Sequence, residues 1–161
     1  MSKQQLKERG FTIIEVVLVL AIAALIFLMV FVALPALQAS QRDSARKSDV
    51  SIVSAAVNSY TSNNKGSWPP ATAGTAIPST GTGLVSYVTD VSSNTNKLIV
   101  LSPATGTQTS TPNDGEVIVY PAGKCGDASG ASVTIEKGTN RQYAVTTKLE
   151  SGNGAAYCLE A

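Results

Sequence analysis

From Val16 to Leu37 the chain runs 22 residues without a charge or a polar side chain. Coiled as an α-helix at 1.5 Å per residue, that stretch is about 33 Å long, against about 30 Å for the hydrocarbon core of a bilayer. It is long enough to cross a membrane. A secretory h-region is shorter, about 7 to 15 residues, and ends at a small-residue cleavage site, so the length favours an anchor. A second reading stays open: Leu37-Gln38-Ala39 as a cleavage site that releases everything from Ser40 onward.

The rest of the composition narrows the chemistry. The chain has 161 residues, 14% of them charged, with a formal net charge of +1, so one small domain is expected and no bulk polyanion partner. There is no histidine, which removes Ser-His-Asp triads, Cys-His nucleophiles and histidine-ligated metals. No glycine-rich phosphate loop, metal-ligand spacing or nucleophile with a base is visible, so neither catalysis, a cofactor nor a metal is expected. The two cysteines, Cys125 and Cys158, have one intramolecular connectivity and suit an oxidising compartment. Closing that loop adds about 3 to 4 kcal/mol in the chain-entropy model. Two buried free thiols are the other reading.

Glu15 is the odd residue of the front end. An acid in an apolar helix costs about 2.5 to 3.5 kcal/mol at the bilayer centre and less at the interface. Either headgroup hydration or a cationic partner must compensate it. Its surroundings form a pattern: a leader with Lys3, Lys7 and Arg9 against Glu8, then Gly10, then Phe11-Thr12-Ile13-Ile14-Glu15, then the apolar run.

That pattern resembles the class III signal of type IV pilins and of the related type II secretion pseudopilins. The resemblance implies that a prepilin peptidase cuts after Gly10 and methylates Phe11 as the new N-terminus. Glu15 then falls at the fifth place of the mature chain, where the family keeps its glutamate. The new amino group of Phe11 on an adjacent subunit is the expected cation for it. Such a pair adds little net stability, but a subunit placed one step wrong leaves both charges unpaired, so it acts as a register device. Without its leader the subunit carries nine basic and ten acidic side chains and is close to neutral. The basic residues on the two sides of the span do not decide its orientation. The leader and the cysteines place the C-terminal part outside.

Beyond Leu37 a helical pattern without breakers continues to Asn64, with Val50, Val53, Val57 and Tyr60 at spacings of three and four. Asp43, Arg46, Lys47 and Asp49 are expected on the opposite, solvated face. Pro35 lacks a backbone donor and crowds the carbonyl of Phe31, so a kink or an unwound stretch is expected there. Family members often carry a proline a few residues nearer the N-terminus. Residues 44–70, ending in Asn64-Lys65-Gly66 and Trp68-Pro69, also resemble the family's helix exit. Trp68 is read chiefly as a lid packed over the helix end, with a binding aromatic as the alternative.

From Lys65 to Gly83 the composition is that of a loop. Leu84 to Val91 suggest a short helix, and Lys97–Leu101, Glu116–Tyr120, Ser132–Glu136 and Gln142–Leu149 suggest strands. The last two are expected to pair as a hairpin through residues 137–140. The expected fold is α+β: a leader at 1–10, a long helix at 11–64 with its transmembrane half at 11–37, a connecting region at 65–96, and an antiparallel sheet domain at 97–161.

The resemblance implies a filament subunit for motility, adhesion or DNA uptake. Its expected partners are other copies in a homo-polymer, prepilin peptidase, the inner-membrane assembly machinery, the lipid bilayer before assembly, and surfaces or DNA through the outer domain. Surface contacts would fall within 125–158, the other reading of that segment being a stapled region with no partner. Asp114, Glu116 and Asp127 invite comparison with the calcium site of some major pseudopilins, although Asn113-Asp114-Gly115 also reads simply as a turn. The alternatives are a type II secretion pseudopilin and a membrane-anchored binding domain that never polymerises.

Overall fold

The computed structural model describes residues 10–76, 83–92 and 95–161; the leader Met1–Arg9 lies outside them. A 51-residue helix, α1, spans Ile13–Asn63. The chain divides at Gln38/Ala39 into two compact units.

The first unit, as described, is the front of α1. Its large apolar side chains are open to the surroundings, from Phe11 at 87% exposure to Leu37 at 57%. The best 18-residue window of α1 has a mean hydropathy of 3.3. Among the described residues of this unit nothing offers a core to such a surface, so lipid or other protein must cover it. The helix is continuous through Pro35, and no unwound stretch interrupts it.

The second unit stacks the rear of α1, a five-stranded sheet and a three-stranded sheet. The strands are β1 (Thr72–Ala76), β2 (Lys97–Val100), β3 (Gln108–Ser110), β4 (Glu116–Pro121), β5 (Gly123–Ser129), β6 (Ser132–Lys137), β7 (Tyr143–Lys148) and β8 (Ala156–Glu160). The larger sheet has the order β1-β2-β4-β7-β8 and the smaller β3-β6-β5. All pairings are antiparallel except β2 with β4. This is the expected α+β class, a long helix with antiparallel-rich sheets.

Every residue of β4 is buried because both faces of its sheet are covered. Val117 and Val119 face the helix side and join Val50, Val53 and Val57 of α1, with Val100, Tyr143 and Val145, in the main core. Ile118 and Tyr120 face the other way and meet Val133 and Ile135 of β6. Burying a valine completely is worth about 1.5 to 3 kcal/mol, and the three α1 valines are fully buried, so they are the main anchor of the helix. Tyr143 ties helix to sheet by hydrogen bonds as well. Its hydroxyl donates to the Ser54 carbonyl at 2.9 Å and lies 2.8 Å from the Ser54 hydroxyl.

Three local expectations are corrected. Strands β6 and β7 do not form a hairpin: β6 pairs with β3 and β5, while β7 pairs with β4 and β8. The alternation of Val133 and Ile135 is real, but it faces the outer side of the larger sheet. The short helix near Leu84 is a 3₁₀ turn, Gly83–Tyr87. Lastly, Asp43, Arg46 and Asp49 are 5%, 4% and 1% exposed, not solvated. Positions 43, 46, 50, 53, 57 and 60 follow one another at three- and four-residue steps, so the charges extend the apolar stripe itself.

Burial is tolerable for these charges because each is bonded. The Asp43 carboxylate accepts from the Glu150 and Ser151 N–H groups at 2.6 and 2.9 Å. Asp49 accepts from the Ser92 N–H at 2.8 Å and from the hydroxyls of Ser92 and Thr95, each at 2.5 Å, holding the segment before β2. Arg46 donates to the Lys148 carbonyl at 2.6 Å and to Glu150 and Asp114, each at 3.1 Å.

Candidate assembly and processing site

Residues 10–12 precede the first turn of α1 and are exposed and non-helical, which leaves the Gly10–Phe11 bond outside regular structure. Among the described residues no packing demands a glycine at position 10, since a Cβ there would meet none of them within 4 Å.

The helix starts with a reciprocal cap. Thr12 is the cap residue, and its N–H and hydroxyl donate to Glu15 Oε2 at 2.9 and 2.8 Å. The Glu15 N–H lies 3.4 Å from the Thr12 hydroxyl oxygen. This is a capping box, in which cap and third helical residue satisfy each other's unpaired donors. Its signal, Thr-x-x-Glu before an apolar run, stands in the sequence but is masked by the stronger oddity of an acid beside a membrane span. Glu15 therefore has two polar donors within its own chain. The box engages one carboxylate oxygen, Oε2, and among the described residues Glu15 makes no ion pair, so a cation can still be added to it.

In the second unit Cys125 on β5 and Cys158 on β8, 33 positions apart in the sequence, form a disulfide with Cα atoms 6.1 Å apart. It links the smaller sheet to an edge strand of the larger.

The three acids near β4 do not converge. Glu116 meets Lys97 Nζ at 3.0 Å and accepts from the Asn113 N–H and side-chain amide at 3.0 and 2.9 Å. Burial by itself would raise its pKa, but those bonds and the lysine charge outweigh it and hold the carboxyl below its ordinary value. Asp114 turns to Arg46, and Asp127 is exposed. Among the described residues no group of three acids or cysteines is placed to hold a metal ion.

Compared with known proteins, residues 5–31 match the family model of the prokaryotic N-terminal methylation motif. No curated protein and no solved structure matches the chain. The matched stretch contains Gly10, Phe11, Thr12, Glu15 and most of the apolar run. The chain thus carries the N-terminal motif characteristic of the class III signals of type IV pilins and pseudopilins. Together with the exposed apolar helix, that motif fits a membrane-anchored, pilin-like structural protein that is processed and then polymerised.

Proposed function

We propose that this chain is a structural subunit of a type IV pilus, cut between Gly10 and Phe11 and polymerised through the front of α1. The match of residues 5–31 to the methylation motif carries this reading. It is supported by a Gly10–Phe11 bond outside the helix and by a glycine that the fold does not require. Before assembly the apolar half, 11–37, sits in the cytoplasmic membrane with the sheet unit outside. Assembly exchanges lipid for the same helix of other copies, and because both environments are equally apolar, extraction loses no hydrophobic burial.

In this reading Glu15 changes partners. Within the membrane the Thr12 donors satisfy it; in the filament the methylated Phe11 amine of a neighbouring subunit adds the positive charge. The leader 1–10, the membrane half 11–37 and the disulfide-bounded outer region keep the roles given above, and filament extension draws its energy from a separate ATPase.

N-terminal mass analysis of the membrane-purified chain, with electron microscopy of the cells, tests the proposal. A methylated Phe11 and long surface fibres are expected. An intact Met1, or a start at Ser40, overturns it in favour of a non-polymerising anchored or secreted domain. Methylated Phe11 with only short periplasmic fibres overturns the pilus assignment in favour of a secretion pseudopilus.

A further inference from the structure

A cleft of about 530 Å³ lies between the end of α1 and the segment leading into β7. That volume is within the usual range for small-ligand sites, about 300 to 1,000 Å³. Two cations line it, Lys65 and Arg141, and no acid does. Neither cation has a carboxylate partner among the described residues; Lys47, Lys137 and Lys148 are likewise unpaired, but none of those three lines this cleft. The walls add Trp68, the amides Asn58 and Asn140, and the hydroxyl residue Thr61.

One of these residues is placed at some expense to the fold, and a second leaves part of an aromatic ring at the surface. α1 ends in a Schellman turn, with the Gly66 N–H donating to the Thr61 carbonyl at 2.8 Å. The left-handed residue of that turn is ordinarily glycine or asparagine, yet here it is Lys65, at φ 56°. Trp68 is only half buried, its ring held edge-on to Tyr143 with centroids 6.1 Å apart. The Tyr143 hydroxyl is committed to Ser54, so the tyrosine gives the cleft a ring wall and no donor. Among the described residues nothing accepts a hydrogen bond from the Trp68 indole N–H.

We infer that this cleft binds a carboxylate-bearing sugar unit of an acidic polysaccharide. The unpaired cations take the carboxylate, the amides bond hydroxyls, Thr61, whose own proton goes to the Val57 and Asn58 carbonyls, accepts from one, and the exposed part of Trp68 packs on the apolar face of a pyranose ring. A simple anion would need no aromatic wall. A peptide adding to the sheet would need an open strand edge, and β7 is paired on both sides. A single nucleic acid strand wants a longer basic groove with successive stacking rings, whereas this site has two cations and one tryptophan. The inference concerns the outer unit and holds whether or not the chain polymerises.

Trp68 is the sole tryptophan, so its fluorescence reports the site directly. The full-length chain in detergent micelles is titrated at low ionic strength with trigalacturonate, with neutral maltotriose, and with a short oligothymidylate. Trigalacturonate is expected to shift the emission saturably, with at least about tenfold higher affinity than maltotriose, the size expected from hydrogen bonds to a charged group. Arg141→Gln and Lys65→Gly should each lower that affinity about tenfold. Lys65→Gly should do so without lowering the thermal midpoint, because glycine suits the turn; a merely structural lysine would not split the two readouts. Absence of a saturable change, equal affinity for maltotriose, unaltered affinity in both variants, or tighter binding of the oligothymidylate would each overturn the assignment.

Discussion

Arg46 Nη2 donates to Glu150 Oε1 at 3.1 Å, joining positions 104 residues apart in the sequence. Glu150 holds Arg42 as well, at 2.6 Å, and its own N–H and that of Ser151 donate to the Asp43 carboxylate. A cluster of opposite charges thereby docks the β7–β8 connection on the first buried turn of α1.

Arg46→Ala should destabilise the outer unit by about 3 kcal/mol, the low end of the range for breaking a buried ion pair. The low end applies because Asp114 is 71% exposed and rehydrates and Glu150 keeps Arg42, so the loss falls chiefly on the Lys148 carbonyl and on the space that the buried guanidinium fills. Urea unfolding followed by circular dichroism measures it. A midpoint equal to that of the parent would mean that the cluster is only ornamental.

Acid should loosen the same dock. Burial on its own raises the Asp43 pKa, but hydrogen bonds from Ser151 and the Glu150 N–H, with the Arg46 charge, more than reverse it, so the net direction is down. A carboxyl depressed by folding contributes stability above its unfolded value, about 3.9, and loses it as pH falls through the folded value. Glu116 acts in the same sense. Unfolding midpoints should fall below about pH 4, and Asp43→Asn should flatten that fall while lowering stability at neutral pH.

Cys125→Ser opens a loop whose ends are 33 positions apart. The outer unit should lose about 3 to 4 kcal/mol in the chain-entropy model, and membrane insertion should be unaffected. Limited proteolysis of membranes carrying the variant reads both, and protease resistance equal to that of the parent would contradict the expected loss.

Glu15→Leu should give a leader-cleaved, membrane-stable subunit that forms few fibres, since the neighbouring amine loses its anion. Thr12→Val removes one of the two Glu15 donors but keeps the N–H, so a milder defect is expected. Mass analysis scores cleavage and electron microscopy scores fibres. Normal fibres from Glu15→Leu would make the glutamate incidental.

Periodicity and composition exposed what depends on hydrophobic contrast: the apolar run, the valine stripe of α1, and β2, β4, β6 and β7. They were blind to strands built from polar and small residues. Gln108–Ser110 and Gly123–Ser129 carry no apolar alternation; their backbones pair with β6, which supplies the apolar side chains. The two-sheet arrangement was hidden for a related reason, because alternation says that one face of β6 is buried but not against what. The burial of Asp43, Arg46 and Asp49 follows from their spacing, which continues the valine stripe, while their charge alone points to solvent. The Thr12–Glu15 box was likewise a local pattern in plain view. The cleft at Trp68 needed tertiary structure, since its walls come from positions near 60 and near 140.

The disulfide bears on how a fibre would withstand being pulled. β8 borders the five-stranded sheet and is zipped to β7 along one side only, the arrangement that peels most readily when tension reaches its end. With Cys158 riveted to β5, a tug on the outer sheet is shared across two sheets and must shear several strands together before any single one can unzip.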